Sequence, residues 1–246
     1  LGAGLAWNTV AFAYGLIAVT GGLVIFTLHG KLKAGGPPEA NPRTPGEVSA
    51  PGTAIRDRKG FTALSLIVTL DTAVQDGFLI FIAFIMLEKQ VPTGLAAFAV
   101  VLTLLGGVAG KFGCGFLAKH LGAVPAFVLV KISTAVGIVA VYFASPIMAF
   151  CLLPVLGIVL QGSSTITYGA VGEFTSDQKR SRGFGIIYSL ASLASITAPI
   201  GFGYVGDLYG LGISMLAMAL TASLTLPACV VLAPALRRLR SAPAGP

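Results

Sequence analysis

The chain has 246 residues, of which 55% are apolar and 10% charged, with a net charge of +7 and a mean hydropathy of +0.90. Such a composition excludes an ordinary water-soluble domain, because whole stretches of about 20 residues carry no charge and read as membrane helices. The positive charge forms no basic helix and no patch interleaved with aromatics, so nucleic acid is excluded as a partner and the lipid bilayer, with its anionic headgroups, is expected instead.

Seven apolar segments follow in chain order, at 3–29, 61–86, 93–117, 123–143, 146–170, 184–206 and 211–235. Each is long enough for about 30 Å of hydrocarbon at about 1.5 Å per helical residue. The chain starts at Leu1 inside an apolar run, with no initiator Met and no basic leader, which reads as the interior of a longer protein rather than a signal peptide. The expected organisation is a lone helix over 1–30, a mobile linker over 31–60 rich in Pro and Gly, a six-helix unit over 61–236 and a tail over 237–246.

Basic residues then predict the orientation, since Lys and Arg flanking membrane helices stay on the cytoplasmic side. Lys31, Lys33, Arg43, Arg56, Arg58 and Lys59 lie in the linker, and Lys111, Lys119 and Lys131 are read as flanking the third-to-fourth connection. Lys179, Arg180 and Arg182 mark the fifth-to-sixth connection, and Arg237, Arg238 and Arg240 the tail. Lys89 alone falls on the other side. The pattern predicts a multi-pass protein of the cell membrane with a cytoplasmic C-terminus.

Polar residues at bilayer depth are costly and mark candidate sites. In the second segment Thr62, Ser65, Thr69, Thr72 and Asp76 recur at steps of three and four along one helix face, and Asp71 with Gln75 forms a shorter second edge. Asp76 is read as the principal group for a proton or a cationic solute and Asp71 as the second. In the fifth segment Gln161, Ser164, Thr165 and Tyr168 share a face beside Gly157 and Gly162. Each of these stripes also has a purely structural reading, as hydrogen bonding within and between helices. Gly106 and Gly110 have the GxxxG spacing of close helix packing.

Cys114, Cys151 and Cys229 lack CxxC spacing and are expected to be packing residues. His120 has no ligand-spaced neighbours, so neither a metal nor another cofactor is expected. No Walker, GxSxG or HExxH motif occurs, and the chain is not read as an enzyme.

Gly115-Phe-Leu-Ala-Lys-His-Leu-Gly122 and Gly203-Tyr-Val-Gly-Asp-Leu-Tyr-Gly210 both place glycines seven apart at a tight turn. With the turns on opposite membrane faces, segments two to four and five to seven would be inverted three-helix repeats.

These residues resemble the major facilitator superfamily of secondary transporters, and the resemblance covers essentially the whole chain as helix six, the central loop and helices seven to twelve. The Gly115 to Gly122 run is similar to the family's cytoplasmic loop signature, with Gly115 and Gly122 keeping the glycine frame and Lys119 replacing the acidic residue of the gate. Arg182-Gly183-Phe184-Gly185, continuing through Ser189 and Ser192 to Pro199 and Asp207, resembles the family's eleventh helix.

The resemblance implies an all-α membrane bundle that moves a small-molecule solute by alternating access, with H+ as the candidate coupling ion and a preceding N-terminal half as partner. It also implies a central cavity lined by Asp76, Asp71, Gln75, Thr72, Gln161, Ser164 and Tyr168, with Gly115, Lys119, Gly122, Arg182 and Gly183 at the gating loops. A seven-helix receptor and a non-transporting membrane scaffold are the competing readings. The last segment has no Lys for a retinal Schiff base.

Overall fold

The computed structural model describes residues 12, 15–16, 19–24, 27, 57–174 and 180–241. The chain divides into two units, 1–52 and 53–246. In the first, the described positions are helical and exposed. The expected linker up to position 56, Lys179 and the tail beyond 241 lie outside the described residues.

The second unit is built from α1 (Arg58–Glu88), α2 (Thr93–Leu121), α3 (Ala123–Phe143), α4 (Pro146–Phe174), α5 (Arg180–Tyr209), α6 (Leu211–Ser223) and α7 (Thr225–Ser241). No strand occurs among the described residues. Among the described residues six spans are long and apolar enough to cross a membrane, with α6 and α7 together forming the sixth. Most helices outrun their apolar segments by about a turn at one end or both, because the helix continues into the headgroup region where hydropathy no longer reports it. At the start of α1 the Asp57 side chain accepts hydrogen bonds from the amides of Lys59 and Gly60, so the helix begins inside the expected linker. At the other end of the chain α7 runs to Ser241, through residues expected to be tail.

The break between α6 and α7 at Leu224 has a local cause. Pro227 has no amide to donate to the Ser223 carbonyl and its ring crowds that group, so one span becomes two helices.

The outside of the bundle is apolar. Phe112 is 79% exposed and Ile147 81%, and Leu, Ile, Val and Phe are exposed along most of the helices. In water such a surface would aggregate; in lipid it is the solvated face. The chain is therefore an all-α, multi-pass membrane protein.

Inside, two apolar clusters stack along the bundle. One gathers Phe61, Leu64, Phe127, Phe174 and Leu236, and the other Phe78, Ile82, Ile138, Leu153 and Met218. Between the two levels lies a polar layer at Asp71, Gln75, Lys131 and Ser163. Cys114 and Cys229 pack in the interior, whereas Cys151 lies on the outside, contrary to the expectation that all three are packing residues.

The closest helix pair is α2 with α4. A methyl added at Gly106 would strike the Pro154 carbonyl, one at Gly110 the Ile158 carbonyl, and one at Gly157 the Thr103 carbonyl. Glycine is needed here because backbone meets backbone, the use of the GxxxG spacing in membranes.

The joints between α2 and α3 and between α5 and α6 are each a single glycine, Gly122 at φ 89° and ψ 156° and Gly210 at φ 90° and ψ 158°. Side chains essentially never adopt this region. Each joint glycine donates its amide to the carbonyl four residues back, Ala118 or Gly206, and accepts from the amide four residues on, Ala126 or Ser214. The two glycine runs thus end in the same turn.

Lys89, the one basic residue on the opposite side, donates to the carbonyls of Tyr142 and Ala144 at 2.6 Å each. It satisfies the C-terminal carbonyls of α3 and meets the negative end of that helix, which explains its position.

Gly110→Leu is expected to lower stability by about 3 kcal/mol or more, beyond ordinary overpacking because the obstacle is backbone. Gly113→Leu, where a Cβ meets nothing within 4 Å, should be near neutral. Thermal midpoints of the detergent-solubilised protein check the pair.

Candidate functional site

Asp71 is about 20 Å along α1 at the helical rise. Its carboxylate is 2% exposed and forms an ion pair with the Lys131 ammonium of α3, which is 0% exposed. Lys131 was expected beside the connection at Gly122. It instead lies eight residues inside α3, in the protein interior, because a neighbouring carboxylate at the same depth compensates its charge. Lys111 also lies within a helix, exposed on α2, so Lys119 and His120 are the basic residues of that helix end.

Ser163 of α4 completes the group. Its hydroxyl donates to Asp71 Oδ2 at 2.8 Å and accepts from Lys131 Nζ and Gln75 Nε2, each at 3.2 Å. One donated and two accepted bonds saturate a hydroxyl. A second acceptor for the same proton, the Leu160 carbonyl, lies 3.1 Å away. The Phe127 ring centroid is 5.3 Å from Lys131 Nζ and adds a cation–π contact.

Taking two charges out of water costs several kcal/mol per ion, which is offset only where partners and hydrogen bonds are complete. Here they are complete: no buried side-chain nitrogen or oxygen among the described residues lacks a partner. The group is neutral overall and ties α1, α3 and α4 at one level.

The other expected residues divide. On α1 the hydroxyls of Thr62, Ser65 and Thr69 each donate to the carbonyl four residues back, so most of the longer stripe is satisfied by its own helix. The shorter edge, Asp71 and Gln75, makes the long-range bonds. Thr72 and Asp76 are half-buried, and Asp76 has no hydrogen-bond or ion-pair partner among the described residues.

On α4 Gln161 lies against α2, where a Cβ on Gly107 would be 2.7 Å from its Cβ and Cγ. Ser164 donates back to the Gln161 carbonyl at 2.8 Å. Tyr168 stacks on Tyr188 of α5, ring centroids 5.2 Å apart.

The loop residues are not at this site. Lys119 and Arg182 are exposed, Gly183 is buried, Gly122 is the α2–α3 joint, and Gly115 faces Thr165, with 3.4 Å from a Cβ there to the Thr165 methyl.

Lys131 and Ser163 escaped the sequence reading. Lys131 had a visible signal, being a charge within an apolar segment, which marks a partnered site rather than a flank. Ser163 had little, since a Ser among Gly162, Ser164 and Thr165 is one of several hydroxyls and only the packing of α4 selects it.

Lys131→Met is expected to destabilise by about 3–5 kcal/mol, because it strands the Asp71 carboxylate; adding Asp71→Asn should restore most of the loss. Thermal melts of the two variants in detergent compare them. The chain matches no model of a known protein family and no curated protein.

Proposed function

We propose that the chain is one half of a secondary active transporter of the major facilitator type, moving a small solute by alternating access with proton coupling through Asp71 and Lys131. The observation that carries this reading is the buried Asp71–Lys131–Ser163–Gln75 group. A buried ion pair adds little to stability compared with apolar residues of the same volume, so its presence at the centre of three membrane helices favours a working role.

The pair can act as a switch. With Asp71 ionised, Ser163 donates to the carboxylate and Lys131 is neutralised. When Asp71 takes up a proton, the Ser163 proton has a second acceptor in the Leu160 carbonyl, and the Lys131 ammonium is left without a counter-charge. An uncompensated ammonium at that depth costs several kcal/mol, which favours an arrangement in which α3 or α1 shifts and water reaches it. Proton binding would thereby bias one bundle state over another.

Further support comes from the half-buried polar side chains that the same two helices carry, Thr72 and Asp76 on α1 and Gln161, Ser164 and Tyr168 on α4. The two identical glycine joints suit paired three-helix repeats. Exposed Arg58, Lys59, Lys119, Arg182 and Arg238 lie toward one set of helix ends, which fits a cytoplasmic C-terminus.

The test is proton flux into proteoliposomes of the full-length protein, read by a trapped pH dye, as organic cations, anions and sugars are added in turn. The double variant Asp71→Asn with Lys131→Met should keep its thermal midpoint within a few degrees and lose solute-driven proton movement by about tenfold or more, equivalent to at least about 1.4 kcal/mol. Coupled flux as fast in the double variant as in the wild type would sink the coupling role, and absence of any solute-driven flux in the wild type would favour a scaffold.

A further inference from the structure

A groove runs along the outside of the bundle between α1 and α7. It encloses about 410 Å³ and is lined by Arg58, Lys59, Thr62, Ala63 and Leu66 of α1 and by Val231 of α7. Gly60 packs against Ala235, and the two helices belong to the first and sixth spans, which cross in opposite directions. Val231, one turn before Ala235, consequently lies at about the depth of Leu64. The groove begins at the two basic residues and descends to Leu66, about 12 Å further along α1 and inside the apolar segment.

Its two ends differ in chemistry. At the mouth the Arg58 guanidinium and the Lys59 ammonium are exposed, and neither has an ion-pair or hydrogen-bond partner among the described residues. Asp57 is next in sequence, but its carboxylate accepts from the amides of Lys59 and Gly60 and does not line the groove. Below the mouth the Thr62 hydroxyl donates to the Arg58 carbonyl, so its proton is already used. Ala63, Leu66 and Val231 then offer hydrocarbon alone.

This division selects a ligand with one anionic end and an apolar body. A groove of this lining at membrane depth is filled by hydrocarbon rather than water, because its floor has no free donor to hold water. A free phosphate ion would use the mouth and leave the floor uncovered. A zwitterionic lipid would cover the floor but bring its own ammonium to two cations. An anionic phospholipid matches both ends, with its phosphodiester on the forked donors of Arg58 and the point charge of Lys59, and an acyl chain along Ala63, Leu66 and Val231.

We propose that the groove between α1 and α7 is a binding site for one anionic phospholipid, drawn from the leaflet at the Arg58 end of α1. Such a site differs from the general attraction of a basic surface for anionic headgroups in having a defined place for the chain. It stands whether or not the protein moves a solute.

The test is native mass spectrometry of the full-length protein in detergent, which counts bound lipids. Dioleoylphosphatidylglycerol and dioleoylphosphatidylcholine are supplied at equal concentration, with inorganic phosphate as a separate arm. One phosphatidylglycerol should be retained with at least about tenfold preference over phosphatidylcholine, and phosphate should not displace it. Arg58→Gln with Lys59→Gln should cut that preference to about twofold or less. Lys119→Gln with Arg182→Gln, which removes two exposed cations elsewhere, should leave it intact. Thr62→Phe keeps both cations while filling the groove, and should lower retention by about threefold to tenfold. That variant keeps the test decisive if removal of the two cations disturbs membrane insertion.

Equal retention of the two lipids, or a preference lost as fully on removing Lys119 and Arg182 as on removing Arg58 and Lys59, overturns the site in favour of general surface attraction. Undiminished retention by Thr62→Phe overturns the place of the chain in the groove. Displacement of the lipid by inorganic phosphate means a free-anion site and overturns the lipid.

Discussion

Among the described residues the Lys131 ammonium has only one carboxylate to neutralise it, and both are shut away from water and lipid between two apolar clusters. From this constraint follows the arrangement of α1, α3 and α4, which must meet at one level and in one rotation for Asp71, Lys131 and Ser163 to reach each other. A rotation of α1 by one residue, about 100°, would turn Asp71 away and bring Thr72 or Leu70 to the ammonium, with the loss of several kcal/mol. The ion pair thus acts as a register pin, and dispersion packing above and below it fills the remaining space.

The bundle contains two unlike kinds of contact. Between α2 and α4 the backbones touch through Gly106, Gly110 and Gly157, a contact made of van der Waals attraction that no proton or ligand can weaken. Between α1, α3 and α4 the contact is ionic and can be changed by one proton. A structure that combines a fixed pair of helices with a switchable junction has a natural place to move. The outer helix α5, which rests mainly on α1 and α6 and carries the aromatic stack, is the least covered of the spans.

The charges of the spanning region also divide by role. Asp71 and Lys131 cancel, Lys89 caps the carbonyl end of α3, and Asp76 is half-buried with no hydrogen-bond or ion-pair partner among the described residues. Four intramembrane or interfacial charges therefore have different physical settings, although hydropathy treats them alike.

The sequence by itself determined the number and placement of the spans in the second unit, since lipid demands backbone bonds closed within each helix and about 20 apolar residues per crossing. It also determined the glycine joints, because Gly122 and Gly210 occupy a conformation that other residues cannot reach, and the glycine contact of α2, because GxxxG reports backbone approach directly.

The tertiary structure alone decided which polar residues meet. Periodicity placed Asp71 and Asp76 on their helix faces but could not say which face a basic residue of another helix would oppose, so the longer stripe ranked above the shorter edge that makes the long-range bonds. Lys131 was assigned by its distance along the chain from Gly122, whereas its position is set by a carboxylate sixty residues away. Ser163 became part of the group through the rotation of α4, which is governed by backbone contact with α2. Pairing across helices depends on rotation and depth, and no single helix encodes either one.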